Sequence, residues 1–182
     1  MKLEERSVTL RDGTLALLRS PQPSDAEPLN AYLRLTSGET HYMVRYPEEC
    51  DQTLGAAQKR LQAMEDHERS FMLAAFLDGE LVGNCGVNEI SDRFKMRHRA
   101  SLGISIKEKA GGLGLGKLLM EKALEQAKEN GFEQVELGVF EDNPRARHLY
   151  EKLGFQEQGR TLRAFRLKDG TYRDEIQMVK FL

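Results

Sequence analysis

The feature that most constrains this chain is a strand, a glycine-rich turn and a helix that follow one another near its middle. Leu102, Ile104 and Ile106 alternate with small residues, and a period of two is typical of a β-strand. The turn has four glycines within the six residues Gly111–Gly116. An apolar helical face then runs to Gly131, where a left-handed stop is expected. Glycines leave backbone N–H groups accessible and a helix N-terminus is partly positive, so this turn predicts a phosphate site.

Three phosphate-binding patterns can be compared with this turn letter by letter. Gly111, Gly116 and Lys117 match most of a nucleotide-binding P-loop, but Leu118 stands where that motif needs a magnesium-binding Ser or Thr. The dinucleotide fingerprint G-x-G-x-x-G fails in both frames, because neither frame ends in glycine. The pattern R/Q-x-x-G-x-G/A fits its two glycines at Gly114 and Gly116, with Gly111 in place of the leading Arg or Gln. An ordinary glycine-rich turn is the alternative for the loop taken alone.

A second motif follows the next predicted strand, in which Val135, Leu137 and Val139 alternate. It reads N-x-x-A-x-x-L-Y-x-K-x-G-F and runs from Asn143 to Phe155. Asparagine is a good N-cap, a proline at the first helical position costs no hydrogen bond, and glycine ends a helix well. Each match therefore also has a purely structural explanation. Their joint occurrence shortly after the glycine loop is what makes the pattern specific.

These two motifs make the chain similar to the GNAT superfamily of N-acetyltransferases, whose loop of the third form holds the pyrophosphate of acetyl-CoA. The similarity covers roughly residues 5–182, so we predict one acetyl-CoA-binding N-acetyltransferase domain there. The tail around Asp169-Gly170 is similar to members near the ribosomal-protein and amino-acid acetyltransferases. The implied fold is α+β in three layers: a mixed, mostly antiparallel, twisted sheet of about six to seven strands with a central splay, flanked by about four helices.

The implied activity is direct transfer of an acetyl group from acetyl-CoA to a primary amine on a small molecule, amino acid or protein. In the family, the pantetheine arm lies in the splay and the pyrophosphate lies on amides of the glycine loop. Asn143 would hold the cofactor or the acceptor, and Arg147 would approach the adenosine phosphates. The implied cofactor-binding residues are Leu102, Ile104, Ser105, Ile106, Gly111, Gly112, Leu113, Gly114, Leu115, Gly116, Lys117, Asn143, Arg147 and Tyr150.

The resemblance also implies the acid and base groups of the reaction. Tyr150 would be the general acid that faces the cofactor sulfur, since a phenol stays protonated at neutral pH. A core tyrosine bonded to the backbone is the alternative. Family members often carry a glutamate near the start of the central strand, but Ala100 and Ser101 stand there. Glu89, late in the preceding strand, is the candidate base acting through water, and a solvated strand-end carboxylate is the alternative.

The acceptor is expected to meet the first helices and the irregular segment 36–51, which contains Tyr42, Arg45 and Tyr46. Local packing explains these aromatic residues equally well. Four acceptor classes stay open at this point: a protein N-terminus or lysine, a free amino acid, a polyamine, and an aminoglycoside-like compound. A non-catalytic acyl-CoA sensor or interaction protein with the same fold is the alternative function.

Composition limits the partners and the compartment. A net charge of −2, from 27 basic and 29 acidic residues, predicts neither a nucleic-acid nor a membrane partner. Cys50 and Cys85 are too few for a disulfide framework, and no long apolar run is present, so we predict a cytoplasmic protein. We predict no metal site. The resemblance implies that a homodimer is one possible oligomeric state.

Overall fold

The computed structural model describes residues 1–182 and shows one eight-stranded sheet with four α-helices. The strands are β1 (Arg6–Thr9), β2 (Leu15–Arg19), β3 (Phe71–Leu77), β4 (Glu80–Glu89), β5 (Arg99–Ile106), β6 (Gln134–Phe140), β7 (Gln156–Arg166) and β8 (Tyr172–Phe181). The helices are α1 (Ala26–Glu39), α2 (Leu54–Asp66), α3 (Leu115–Glu129) and α4 (Pro144–Lys152).

The strands lie in the order β1-β2-β3-β4-β5-β6-β8-β7, and every neighbouring pair except β5 and β6 is antiparallel. The predicted mixed, mostly antiparallel α+β sheet is therefore confirmed. The predicted strand count is too low, because both strands of the short N-terminal hairpin join the sheet through β3. None of the four helices has the length and apolarity that crossing a membrane requires.

Each face of the sheet has its own apolar core, which gives the three layers that the fold class predicts. Leu119 and Ala123 of α3 pack with strand residues such as Val87 and Val135 on one face. On the other face Leu29 of α1 and its neighbours on α2 pack against β3. Alternate residues of one strand point to opposite faces, so each central strand contributes to both cores.

The tight turns follow the sequence closely. Asp78 and Gly79, with φ of 47° and 81°, join β3 to β4 and pair Leu77 with Glu80 across the turn. Two positive φ values in a two-residue turn match the right-handed twist of the strands, which is why Asp-Gly is favoured there.

The parallel pair β5 and β6 determines where a ligand can bind. The two strands pair at only three positions, Arg99 with Gln134, Ala100 with Val135, and Ser101 with Glu136. Both strands continue beyond this ladder, β5 to Ile106 and β6 to Phe140, so they separate and form the predicted splay. On its β6 side, β5 has no strand partner from Leu102 onward, and backbone groups there are available to a ligand.

Candidate active site

A cleft of about 1090 Å³ opens where β5 and β6 separate. Its wall is formed by residues of β4, β5 and β6, by α1, by the N-terminal turn of α3 and by α4. A cavity of this size at a discontinuity of the sheet is the kind of place where folds of mixed strands bind small ligands. The predicted site residues can therefore be compared with it one by one.

The four predicted cofactor-binding residues of β5, Leu102, Ile104, Ser105 and Ile106, all line this cleft. The three aliphatic ones also pack on the α3 face, because alternate residues of the strand share a face. Gly103 lies between them, and a Cβ added there would meet no atom within 4 Å. The strand therefore presents a backbone edge that side chains do not cover.

The glycine loop lies at one end of the cleft. The loop residues that line it are Gly111, Gly112, Gly114, Leu115, Gly116 and Lys117. Gly114 is the N-cap of α3 and has a φ of 84°, a left-handed value that only glycine adopts without strain. Leu113 is the exception among the predicted residues: it packs against the core, and its carbonyl accepts a hydrogen bond from the Arg11 backbone N–H at 3.4 Å.

Two arginines flank this loop and fill the place of its missing leading cation. Arg145 of α4 places Nη2 3.3 Å from the position that a Cβ of Gly111 would take. Arg11 places Nε 3.0 Å from the corresponding position at Gly114. Both line the cleft, and neither forms an ion pair with an acidic side chain. The loop end of the cleft is thus positively charged, as a diphosphate requires.

The other two predicted phosphate contacts differ in their placement. Lys117 lines the cleft but is also paired with Glu121 at 3.3 Å. Arg147 does not line the cleft; it pairs with Glu157 at 3.6 Å on the far side of α4. Arg145 lies two residues earlier and so points about 200° away around the helix. The cation of α4 that faces the loop is therefore Arg145, which the sequence reading did not select.

Tyr150 is buried, lines the cleft, and has no hydrogen-bond partner for its hydroxyl within the chain. Burial raises the pKa of this phenol above its ordinary value, so it keeps its proton at neutral pH. A core tyrosine bonded to the backbone does exist, but it is Tyr32 of α1. The Tyr32 hydroxyl donates to the Ser105 carbonyl at 2.7 Å and lies 2.8 Å from the Ser105 hydroxyl.

The placement of Asn143 is compatible both with capping α4 and with contacting a ligand. Its side-chain oxygen accepts a hydrogen bond from the Ala146 backbone N–H at 3.1 Å, which caps α4. The same residue lines the cleft. The side-chain amide N–H₂ of Asn143 is therefore left for a ligand.

Glu89 does not lie in the cleft. Its carboxylate is ion-paired with Arg69, and its backbone faces Ala100 across the sheet. At Ala100 the β5–β6 ladder is still closed, so the two strands leave no gap for a ligand between them at this position. The candidate base is thus at the wrong end of β5, and this placement does not support its predicted role.

Glu175 of β8 is a cleft carboxylate that the sequence reading did not select. It lines the cleft and forms no hydrogen bond or ion pair through its side chain. It lies over Gly138 of β6, and a Cβ added at that glycine would overlap the carboxylate. Glycine inside a strand often marks such a close approach, so Gly138 within β6 is the signal that could have identified it.

The segment before α2 contributes two of its three predicted residues. Tyr42 lines the cleft and donates its hydroxyl to the Asp142 carbonyl at 2.8 Å, and Arg45 also lines the cleft. Tyr46 lies outside it, where its hydroxyl accepts a hydrogen bond from the Lys168 backbone N–H at 2.8 Å.

Comparison with known proteins agrees with this geometry. A sequence profile described as the acetyltransferase (GNAT) family matches residues 33–155, more than half of the chain. The chain belongs to the GNAT acetyltransferase family. The resemblance predicted from the glycine loop and the Asn143–Phe155 motif is thereby confirmed.

Among relatives, this GNAT chain is 31% identical over 110 residues to the L-amino acid N-acetyltransferase AaaT of Escherichia coli. That alignment covers 59% of this chain and 66% of AaaT, so the chain spans just under two thirds of this relative. It is 30% identical to a solved GNAT acetyltransferase of Streptococcus pneumoniae, with a TM-score of 0.87 and coverage of 92% and 99% of the two chains.

A phosphinothricin acetyltransferase of Sinorhizobium meliloti, solved in complex with AcCoA, has the same fold as this GNAT chain. Its TM-score is 0.79 at 20% identity, and the alignment covers 92% of this chain and 88% of the other. At this identity the comparison establishes the shared fold alone.

Proposed function

We propose that this chain is an acetyl-CoA-dependent N-acetyltransferase that moves an acetyl group directly to a primary amine. The observation that carries the proposal is the β5–β6 splay, which opens a cleft between the glycine loop and the free Tyr150 hydroxyl. AaaT, a relative, is named an L-amino acid N-acetyltransferase, and the phosphinothricin acetyltransferase with the same fold was solved with AcCoA.

The residues of the cleft fit acetyl-CoA in three respects. Beyond Ser101 the β5 backbone is unpaired toward β6, so an extended pantetheine arm has hydrogen-bonding groups to meet. The space beside Gly103 and Gly112 is open, and a side chain at either position would occupy part of it. Arg11 and Arg145, which have no acidic partners, flank the loop amides and supply positive charge for a diphosphate.

Bound acetyl-CoA would supply an acetyl group already activated as a thioester. Backbone N–H groups of the free β5 edge would hold and polarise its carbonyl. As the amine forms its new C–N bond and the C–S bond breaks, Tyr150 would donate its hydroxyl proton to the departing sulfur. Because the phenol is buried and protonated, it is suited to donate to a thiolate and be reprotonated afterwards.

The amine must also lose a proton, and we propose that Glu175 receives it. Its carboxylate lies in the cleft over Gly138 and is not engaged by any cation of the chain. Glu89, by contrast, is bound to Arg69 where β5 and β6 are still paired. We therefore assign the amine-facing carboxylate to Glu175 rather than to Glu89.

The test is thiol release from acetyl-CoA with a panel of amines, with wild type beside Tyr150→Phe. We expect thiol release with at least one amine and a loss of kcat of about a hundredfold in the variant, as for removal of a general acid. Tyr172→Phe, an exposed tyrosine on β8, is the matched control. A non-catalytic acyl-CoA sensor would bind CoA, release no thiol with any amine, and be indifferent to both substitutions.

Titration calorimetry separates a further alternative suggested by the partial P-loop match. Binding of acetyl-CoA without magnesium supports the proposal, because the loop amides and arginines need no metal. Magnesium-dependent binding of ATP with no binding of acetyl-CoA would contradict it. Leu118 stands where a P-loop needs a hydroxyl, so we expect the first result.

A further inference from the structure

The cleft extends past β5 toward β4 and β3, on the face of the sheet that α1 and α2 cover. Met72 of β3 and Asn84 of β4 line this region, and so does Arg60 of α2. The Nε and Nη2 atoms of Arg60 are buried and have no hydrogen-bond partner. Arg60 also lacks an acidic partner within salt-bridge distance, unlike Arg19, which pairs with Asp25 at 2.6 Å.

A second guanidinium reinforces the charge of this region. Arg45 lines the same cleft and also has no acidic partner. Burial lowers the pKa of Arg60, and the nearby Arg45 lowers it further, so the two cations are close enough to repel. Arg45 is exposed to solvent, whereas the partly buried Arg60 guanidinium has two buried nitrogens without a partner, so an anionic ligand would stabilise the pair.

A carboxylate is the group that best satisfies a guanidinium, since its two oxygens accept two parallel N–H donors. The Oδ1 atom of Asn84 is also buried without a partner in this region, so an N–H group of the same ligand has an acceptor available. The pocket thus contains unpaired hydrogen-bond donors and an unpaired acceptor. A small molecule with a carboxylate and an amine could pair with both.

Resting on the proposed function, we propose that Arg60 and Arg45 bind a carboxylate of the amine acceptor, which makes the acceptor a small amino acid-like amine. Polyamines and aminoglycoside-like compounds carry several positive charges and would be repelled by this pair. The burial of Nε and Nη2 of Arg60 favours a small molecule that enters the cleft over a protein amine at the surface.

The test compares amino acids with their amides as acceptors in the thiol-release assay, for wild type, Arg60→Met and Arg60→Lys. Wild type is expected to prefer the carboxylate in kcat/KM by about tenfold or more. Arg60→Met should raise KM for the amino acid about tenfold to a hundredfold while KM for the amide changes little, and Arg60→Lys should restore part of the loss. Lys59→Met, which removes an exposed cation of α2, is the matched control.

Binding of the acetylated product, measured by ligand-observed NMR with CoA present, gives a readout that needs no turnover. The N-acetyl amino acid should bind more tightly than its amide, and Arg60→Met should abolish the difference. If no amine releases thiol but this difference is seen, the proposed activity fails and the carboxylate site stands. Equal use of amides, polyamines or a peptide amine by an active wild type would overturn the carboxylate site and leave the activity standing.

Discussion

The guanidinium of Arg145 lies over Gly111, with Nη2 3.3 Å from the position that a Cβ of Gly111 would occupy. That Cβ would also come within 2.9 Å of the Glu108 carbonyl oxygen. Gly111 is the position where the family pattern has Arg or Gln, so the cation missing from the loop is replaced in space by a residue of α4. This relation makes the departure from the motif compatible with binding of a diphosphate.

Arg145→Met should therefore weaken acetyl-CoA binding. Loss of a charge-assisted hydrogen bond at a partly exposed phosphate site is expected to raise the Kd for acetyl-CoA about tenfold. Titration calorimetry measures it directly. Arg147→Met is the matched control, since Arg147 is on the same helix but pairs with Glu157 outside the cleft. Equal effects of the two substitutions would show that Arg145 contributes only general charge.

Tyr32→Phe should lower stability, and Tyr150→Phe should not. Tyr32 is buried and its hydroxyl bonds to both the carbonyl and the hydroxyl of Ser105, so its loss is expected to cost about 1–2 kcal/mol in the free energy of unfolding. The Tyr150 hydroxyl has no partner in the chain to lose. Urea denaturation of the two variants distinguishes them, and an equal loss of stability would contradict the division of roles between these tyrosines.

Gly138→Ala should impair acceptor use by displacing Glu175. The added methyl group would overlap the carboxylate, so the side chain must turn away from its place over β6. We expect a fall in kcat/KM for the amine of about tenfold or more, and a similar fall in Glu175→Gln. Glu151→Gln, an exposed residue of α4, is the control. If Glu175→Gln retains full activity at neutral pH, another group or water takes the proton.

Deprotonation of Tyr150 should not lower kcat at any pH up to about pH 10. Burial raises the pKa of this phenol above its ordinary value, and an acid that acts protonated stays competent until the pH passes that raised value. Meanwhile kcat/KM should rise with pH as the acceptor amine loses its proton. Thiol release from about pH 6 to 10 tests this. A fall in kcat centred at about pH 8 would assign the acid to a different group.

The parts of the site that depend on local sequence were predictable. The glycine loop, the Asn143 cap and Tyr150 each belong to a short motif in which cap, stop and apolar spacing agree, and all lie at the cleft. The motif does not state which face of α4 turns to the loop, so the sequence predicts Arg147 as the phosphate contact, whereas Arg145 is the arginine of α4 that lines the cleft. Two arginines that are two residues apart on one helix can thus face different sides of it, one toward the cleft and one away from it.

The parts that depend on tertiary structure were not predictable. Glu175 reaches the cleft through the register of β8 against β6, which pairs it with Phe140, and no local pattern sets that register. Arg60 is an ordinary charged helix residue in the sequence, and only the packing of α2 buries its Nε and Nη2 atoms. Strand pairing also explains why Glu89, the predicted base, lies outside the cleft, since β5 and β6 are still paired at its position.

We propose that the splay between β5 and β6 holds acetyl-CoA with its sulfur at Tyr150. The decisive measurement is a crystal structure of the protein with CoA. We expect the diphosphate on the backbone amides of Gly112–Lys117 and the thiol sulfur within hydrogen-bond distance of the Tyr150 hydroxyl. CoA bound elsewhere, or a Tyr150 hydroxyl turned into the core away from the sulfur, would contradict it.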